Sequence, residues 1–270
     1  MFEGQSEKLE RAKARFTKRE ALLRGELQVE GVRRLMGLEL KSEYPTLNEL
    51  PERFFLPTEI IPRVASMTRQ QLKKGKEVEC FIGFQNGKYW LSKVHVGAKY
   101  EVTDQHRDLF PSRRPDYVLA EVHTHAVGDR IGDLVPPQSS DIASLLVYMR
   151  GIPGMIISSD AGGWFIVTGK EYFETIAAMG REEQPRVFQE IKSFAQRSWD
   201  LFQSSKTTHF ASDMESLLAA VLEKYGAVLY SSNPDFLKAP YLGPKPILDP
   251  KQKVEMVRVS GETHKKFLAE

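Results

Sequence analysis

The chain has 270 residues, of which 41% are hydrophobic and 27% charged, a balance typical of a folded protein with a sizeable core and not of a disordered one. Its 38 Lys and Arg residues nearly match its 36 Asp and Glu residues, so the chain lacks the single-sign field that favours nucleic acid or an anionic membrane as a partner. The one cysteine excludes an intramolecular disulfide framework and any multi-cysteine zinc or iron–sulfur site.

The sequence predicts neither a membrane-spanning segment nor a secretory signal. The apolar runs are shorter than the roughly 18 to 20 residues that cross a bilayer, and the N-terminal segment has no apolar core of the secretory type. We therefore expect a cytoplasmic protein with no membrane partner.

Residues 1–56 predict an N-terminal helical arm followed by a linker. Residues 1–35 mix charges of both signs, and Leu9, Phe16 and Leu23 recur at spacings typical of an amphipathic helix. Three prolines over residues 41–57 then indicate an irregular connection. Such an arm is typical of a solvated surface helix, with docking of a protein partner as the alternative.

Residues 57–180 predict the main domain. A helix over TEIIPRVASMTRQQLKK ends near Gly75, and the strands EVECFIGF and KYWLSKVHV flank Asn86-Gly87, a strong hairpin signal. A strand over 117–122, an amphipathic helix over 141–150, and the strands GMIISS and GWFIVTG follow. This alternation predicts a mixed α/β fold in which helices flank a sheet.

Residues 181–270 predict a C-terminal helical and small α/β region. A helical stretch over about 172–202 leads into a second helix, MESLLAAVLEKYG, and the strand AVLYSS. A proline-rich loop over 233–250 precedes a last strand, KVEMVRVS. The expected fold class is thus mixed α/β, with an N-terminal helical extension and a C-terminal α/β addition.

The segment that carries chemistry is AEVHTHAVGDRIGDLVPPQSSDI, residues 120–142. His123 and His125 end a predicted strand two residues apart, so both imidazoles point to one face and can approach one metal ion. Asp141 opens the next predicted helix, and the loop between is long enough to return its carboxylate. Two histidines and one carboxylate leave a fourth position for water, as catalytic zinc sites do. Packed histidines and a plain N-cap aspartate are the alternative.

This order of residues resembles the JAMM (MPN-plus, JAB) metallopeptidase domain, in which a glutamate on an early strand precedes His-x-His and an aspartate that opens a helix. The resemblance covers roughly residues 58–179. It implies an MPN/JAB-like sheet, Zn²⁺ as the cofactor with His123, His125 and Asp141 as its ligands, and Glu77 as the catalytic residue. Glu79 is the competing glutamate, because it points to the same face of the strand.

The chain departs from the family pattern in two places. Position 138, where the family has an oxyanion-stabilising serine, holds Gln138, and either its amide or a shifted Ser139 could take that part. Ala126 follows the second histidine where the family usually has proline, and the loop to Asp141 is longer than usual. That loop is interpreted as a substrate clamp or a passive surface insertion.

The resemblance implies a zinc isopeptidase or peptidase that cleaves at the C-terminal tail of ubiquitin or a ubiquitin-like protein. One alternative is an assembly subunit without catalysis, because MPN domains that have lost the ligands act as scaffolds. Another is a metal-dependent hydrolase of a different substrate, because the related RadC proteins share the His-x-His and a downstream aspartate. The terminal extensions suit docking of a protein partner, and the balanced charge predicts no nucleic-acid partner.

Overall fold

The structure is a computed structural model. It describes residues 26–97, 118–125, 141–142, 145, 152–159, 162–175, 182–183, 185–189, 191–193, 210–232 and 247–261. Within these ranges the fold is mixed α/β, with helices against a mixed sheet of nine strands. The coarse fold class predicted from the alternation of elements is therefore confirmed.

One sheet contains all the described strands. They are β1 (Arg53–Phe55), β2 (Val78–Gln85), β3 (Lys88–Leu91), β4 (His95–Val96), β5 (Val118–Thr124), β6 (Gly154–Ser158), β7 (Gly163–Thr168), β8 (Ala227–Ser231) and β9 (Glu255–Arg258). Their order is β1-β9-β8-β7-β6-β5-β2-β3, and β4 also pairs with β2. The β5–β6 pair is parallel, and the other described pairs are antiparallel.

Helices cover the two faces of this sheet and create two apolar clusters. Four helices that form these clusters are α1 (26–35), α2 (Ile61–Lys74), α3 (Lys170–Glu174) and α4 (Phe210–Lys224). On one face, α1 and α2 bury Leu35 and Val64 against strand residues such as Val122. On the other face, α4 and α3 bury Leu222 and Tyr172 against strand residues such as Ile157. Alternate residues of β6, β7 and β8 therefore enter different cores.

Two local predictions are confirmed because each depends on backbone chemistry close in sequence. Helix α2 ends at Gly75, whose φ of 61° is the left-handed conformation that glycine adopts at low cost. Asn86 and Gly87 have φ values of 53° and 73°. Positive φ at both residues is what a two-residue hairpin between β2 and β3 requires.

Two predictions on the flanking regions need correction. The helix predicted over about 172–202 is not continuous, because residues 182–183 form a turn and Pro185 lies in the first turn of a further helical segment. Proline suits that position, since it lacks the N–H that a helix interior needs. Residues 26–35 of the predicted N-terminal arm are not merely solvated, because α1 packs Val32 and Leu35 into the core. Leu9, Phe16 and Leu23 lie outside the described residues.

The C-terminal strands extend the main sheet. β8 pairs with β7, and β9 pairs with both β8 and β1. The domain boundaries at residues 56 and 180 stay predictions, but strands from before residue 56 and from after residue 180 belong to the same sheet as the strands between them. In the part of the chain that the structure describes, no helix combines the length and apolar character needed to span a membrane.

Candidate metal centre

β5 presents two imidazoles on one face of the sheet. His123 is paired with Ile157 of the parallel strand β6, and the N–H of His125 donates to the carbonyl of Ser158 at 3.1 Å. The extended pairing thus continues past the end of β5, which keeps His123 and His125 on the same side. Both side chains are buried. This is the arrangement that the His-x-His spacing predicts.

Asp141 meets these imidazoles from the first residues of a helical segment. Its neighbour Ile142 is fully buried in the core on this face of the sheet and anchors the segment there. The Asp141 carboxylate lies 3.5 Å from His123 Nε2 through Oδ1 and 3.3 Å from His125 Nε2 through Oδ2. The two Nε2 atoms are 3.1 Å apart.

These distances match the donor spacing around a tetrahedral metal ion. Bonds of about 2.0–2.1 Å to zinc at tetrahedral angles put neighbouring ligand atoms about 3.3 Å apart. The ligand atoms of His123, His125 and Asp141 all lie within 4.8 Å of one another. The predicted ligand set therefore comes together, and the cluster can hold a metal ion.

Glu121 adds a contact that motif matching did not single out. Its Oε1 lies 3.0 Å from Nδ1 of His123, and both side chains are buried. Strand alternation was the available signal, because a residue two positions before His123 shares its face. By contrast, Nδ1 of His125 has no hydrogen-bond partner among the described residues. The two imidazoles thus have different surroundings.

The charges in this cluster are strongly coupled. Burial is the largest influence on the pKa of His123 and lowers it, but the hydrogen bonds and charges of Asp141 and Glu121 outweigh burial. The pKa of His123 is therefore raised well above its usual value. Burial likewise acts to raise the pKa of Asp141, yet the two imidazoles beside it hold that pKa below its usual range. The metal-free cluster favours a cationic imidazole against an ionised carboxylate.

Strand alternation puts both candidate glutamates on the face that carries the histidines. Glu79 is in β2, directly opposite His123 on β5, and is only 2% exposed. Glu77 precedes β2 by one residue and is half-buried. Its carbonyl accepts a hydrogen bond from the N–H of Gly97 at 2.9 Å, which holds its backbone beside the end of β4. Glu77 remains the predicted catalytic residue and Glu79 its competitor.

His95 also lies beside Glu79 and His123 in the sheet, although no motif marks it in the sequence. β4 pairs with β2 on the edge opposite β5, and His95 is the direct partner of Glu79. His95, Glu79 and His123 are therefore successive cross-strand neighbours on one face. The pairing depends on how the chain returns to β2 after β3, which local sequence patterns do not specify.

Other residues singled out in the sequence lie outside the described ranges. These are Gln138 and Ser139, the two candidates for oxyanion stabilisation, and Ala126 with the long loop that follows it. The predicted clamp or insertion stays a prediction.

Comparison with known proteins adds no family to this geometry. The chain was compared with protein-family models, with curated proteins and with solved structures, and nothing matches in any of the three. The candidate metal centre therefore depends on its own residues, and the likeness to JAMM domains stays a prediction from the motif.

Proposed function

We propose that this protein is a zinc-dependent isopeptidase or peptidase of the JAMM type, which hydrolyses an amide bond at the C-terminal tail of ubiquitin or a ubiquitin-like protein. The observation that carries the proposal is the convergence of His123, His125 and Asp141, whose ligand atoms lie within 4.8 Å of one another. Their order along the chain, after a glutamate on an early strand, supports the same proposal.

The donor set favours zinc in a catalytic arrangement. Two imidazole nitrogens and one carboxylate oxygen suit zinc, and three protein ligands leave a fourth position for water or substrate. When bound, zinc acts as a Lewis acid that polarises a carbonyl group and lowers the pKa of a water molecule to about 7. No thiol nucleophile is required, which agrees with burial of the one cysteine, Cys80.

The charge balance of this pocket also favours a cation. Among the described residues, the buried carboxylate of Glu121 and the mostly buried carboxylate of Asp141 both contact the imidazole of His123. Ionised groups out of water need a compensating charge. A divalent cation would supply it and would displace the proton that His123 otherwise holds.

Glu77 is the proposed general base. A carboxylate in that role takes a proton from the attacking water and passes it to the leaving amine. Glu77 is half-buried at the start of β2, where it has access to solvent, whereas Glu79 is enclosed. Exposure to incoming water thus favours Glu77, in agreement with the motif.

The proposed substrate is an extended tail, which a sheet edge can bind. β3 ends the strand order, and one side of β3 has no strand partner among the described residues. A substrate tail could add to such an edge through main-chain hydrogen bonds, a common mode of peptide recognition.

Metal content tests the proposal first. We would measure zinc by plasma mass spectrometry in the purified wild type and in the His123→Ala and Asp141→Asn variants. Glu215→Gln is the matched control, because Glu215 is also a buried acid but bonds to Trp164 and Ser231 instead. We expect about one zinc per chain in the wild type and the control and almost none in the ligand variants.

Cleavage of ubiquitin-like fusions by the zinc-loaded wild type would complete the test. If the wild type takes up no zinc, even when zinc is added back, the hydrolase proposal fails. An assembly role without catalysis would then become the working hypothesis.

A further inference from the structure

We propose that Glu121 is a positioning residue that orients His123 and thereby sets the metal affinity of the centre. This inference rests on the metal site of the proposed function and adds to it a residue that the His-x-His and aspartate motif does not include. The observation that carries it is the 3.0 Å contact between Glu121 Oε1 and His123 Nδ1 inside the protein.

The contact determines which nitrogen of His123 faces the metal. An ionised carboxylate can only accept hydrogen bonds, so in this contact Nδ1 of His123 carries the proton and donates to Oε1 of Glu121. Nε2 is then the atom left for the metal, and it already points at His125 Nε2 and Asp141 at 3.1 Å and 3.5 Å. Histidine ligands in metal sites are commonly held in this way by a carboxylate behind the ring.

The sheet holds Glu121 in place independently of any metal. Glu121 and His123 are on one strand and one face, two residues apart. Phe81 of β2 and Met155 of β6 are the cross-strand partners of Glu121, and both are buried. Between these apolar neighbours an unpaired carboxylate would be costly, so its contact with His123 is strongly favoured.

The other histidine offers a contrast within the same site. No described residue hydrogen-bonds Nδ1 of His125. Its ring is held through backbone pairing and through its contacts with His123 and Asp141. Loss of the Glu121 carboxylate should therefore release the orientation of His123 and leave that of His125 unchanged.

Zinc affinity is the first test. We would measure the dissociation constant by competition with a chromophoric chelator for the wild type, Glu121→Gln and Glu121→Asp, after circular dichroism shows that each is folded. Loss of such a carboxylate typically weakens metal binding roughly 10–100-fold. We expect that weakening in Glu121→Asp, whose shorter side chain cannot reach Nδ1, and in Glu121→Gln, whose neutral amide is a weaker acceptor than the ionised carboxylate. Glu215→Gln, the buried-acid control, should stay within about 2-fold of the wild type.

A nitrogen-15 spectrum of the zinc-loaded wild type tests the inference without any variant. We expect His123 to be bound through Nε2 and to keep a slowly exchanging proton on Nδ1. An unprotonated Nδ1, or Glu121 variants with wild-type zinc affinity, would overturn the role of Glu121 while leaving the zinc site intact. A wild type that binds no zinc would instead overturn the proposed function and this inference with it.

Discussion

Glu79 and His123 are directly opposite each other on the antiparallel strands β2 and β5. Cross-strand partners of this kind have Cβ atoms about 4.5–5.5 Å apart, so a buried acid stands beside a proposed metal ligand. Glu77 lies two residues earlier, just before β2, where continued strand alternation puts it on the same face, and it is less buried than Glu79. The two glutamates thus differ in access to solvent although they share the face of the histidines.

This difference predicts separate effects for the two glutamates. Glu77→Gln should retain zinc and lower the cleavage rate by about 10² or more, because it removes the proposed general base. Glu79→Gln should retain measurable activity, since a buried amide can still hydrogen-bond in that position. Both effects are read from single-turnover cleavage rates beside zinc content. A fully active Glu77→Gln with an inactive Glu79→Gln would reverse the assignment.

Zinc should stabilise the fold through the three converging ligands. A ligand that binds only the folded state stabilises it by about 2.7 kcal/mol when present at 100 times its dissociation constant. We therefore expect the melting temperature of the wild type to rise with added zinc and to fall with a chelator. His125→Ala, which removes one donor, should show little of either response by differential scanning fluorimetry. An equal response in that variant would place the bound zinc elsewhere.

The buried carboxyl group of Glu215 should make the stability of the fold depend on pH, independently of any metal. Its Oε1 accepts hydrogen bonds from the indole N–H of Trp164 and the hydroxyl of Ser231. Burial raises its pKa from 4.5 to about 7, against the opposing effect of those hydrogen bonds. The folded protein therefore holds this proton more tightly than the unfolded chain does. The resulting stabilisation is fully present below pH 4.5 and is lost as the pH rises through about 7.

The Glu215→Gln variant isolates that contribution. A pKa difference of this size corresponds to about 3 kcal/mol in the free energy of unfolding. Between about pH 4.5 and pH 7.5 the wild type should therefore lose roughly that much stability through Glu215, and the variant should not. Urea unfolding at several pH values measures it. Identical pH profiles for the wild type and the variant would contradict the prediction.

Gly226 and Gly87 form a matched pair for testing backbone strain. Both have positive φ, 76° and 73°. A Cβ atom at Gly226 would lie 2.4 Å from the backbone nitrogen of Tyr172, whereas nothing lies within 4 Å of one at Gly87. Gly87→Ala should cost about 1 kcal/mol for the left-handed conformation alone. Gly226→Ala should cost about 3 kcal/mol or more, because the clash is with backbone.

Thermal unfolding of these two glycine variants separates the contributions. We expect a melting temperature lower by only a few degrees for Gly87→Ala and by roughly 10 °C for Gly226→Ala. Equal decreases in melting temperature would show that the backbone around Tyr172 can move to accommodate the added Cβ atom, and would contradict the prediction.

Local chemistry explains which parts of the fold were predictable. The end of α2 at Gly75 and the Asn86-Gly87 hairpin follow from backbone conformations that few other residues adopt. The histidine pair was predictable because alternation along β5 fixes the side of each imidazole. The convergence of Asp141 on that pair was expected from the motif. It required only that the loop between His125 and Asp141 bring the carboxylate back to the end of the strand.

Relationships between distant segments account for what was not predicted. His95 is the partner of Glu79 because β4 returns to the edge of β2, and nothing in its own sequence specifies that register. The helix predicted over about 172–202 followed local propensity, which gave too little weight to the break before Pro185. The place of β8 and β9 in the main sheet depends on pairing with β7 and β1.

The pairing of β1 with β9 has a consequence for how the chain folds during synthesis. Arg53 is in register with Val257, so that edge of the sheet cannot form until the roughly 200 residues between these two strands have left the ribosome. Closing so long a loop before its contacts are gained slows folding. Until then, the edge of β8 that later pairs with β9 is exposed to neighbouring nascent chains. We therefore expect chains that terminate before residue 255 to require chaperones and to aggregate without them.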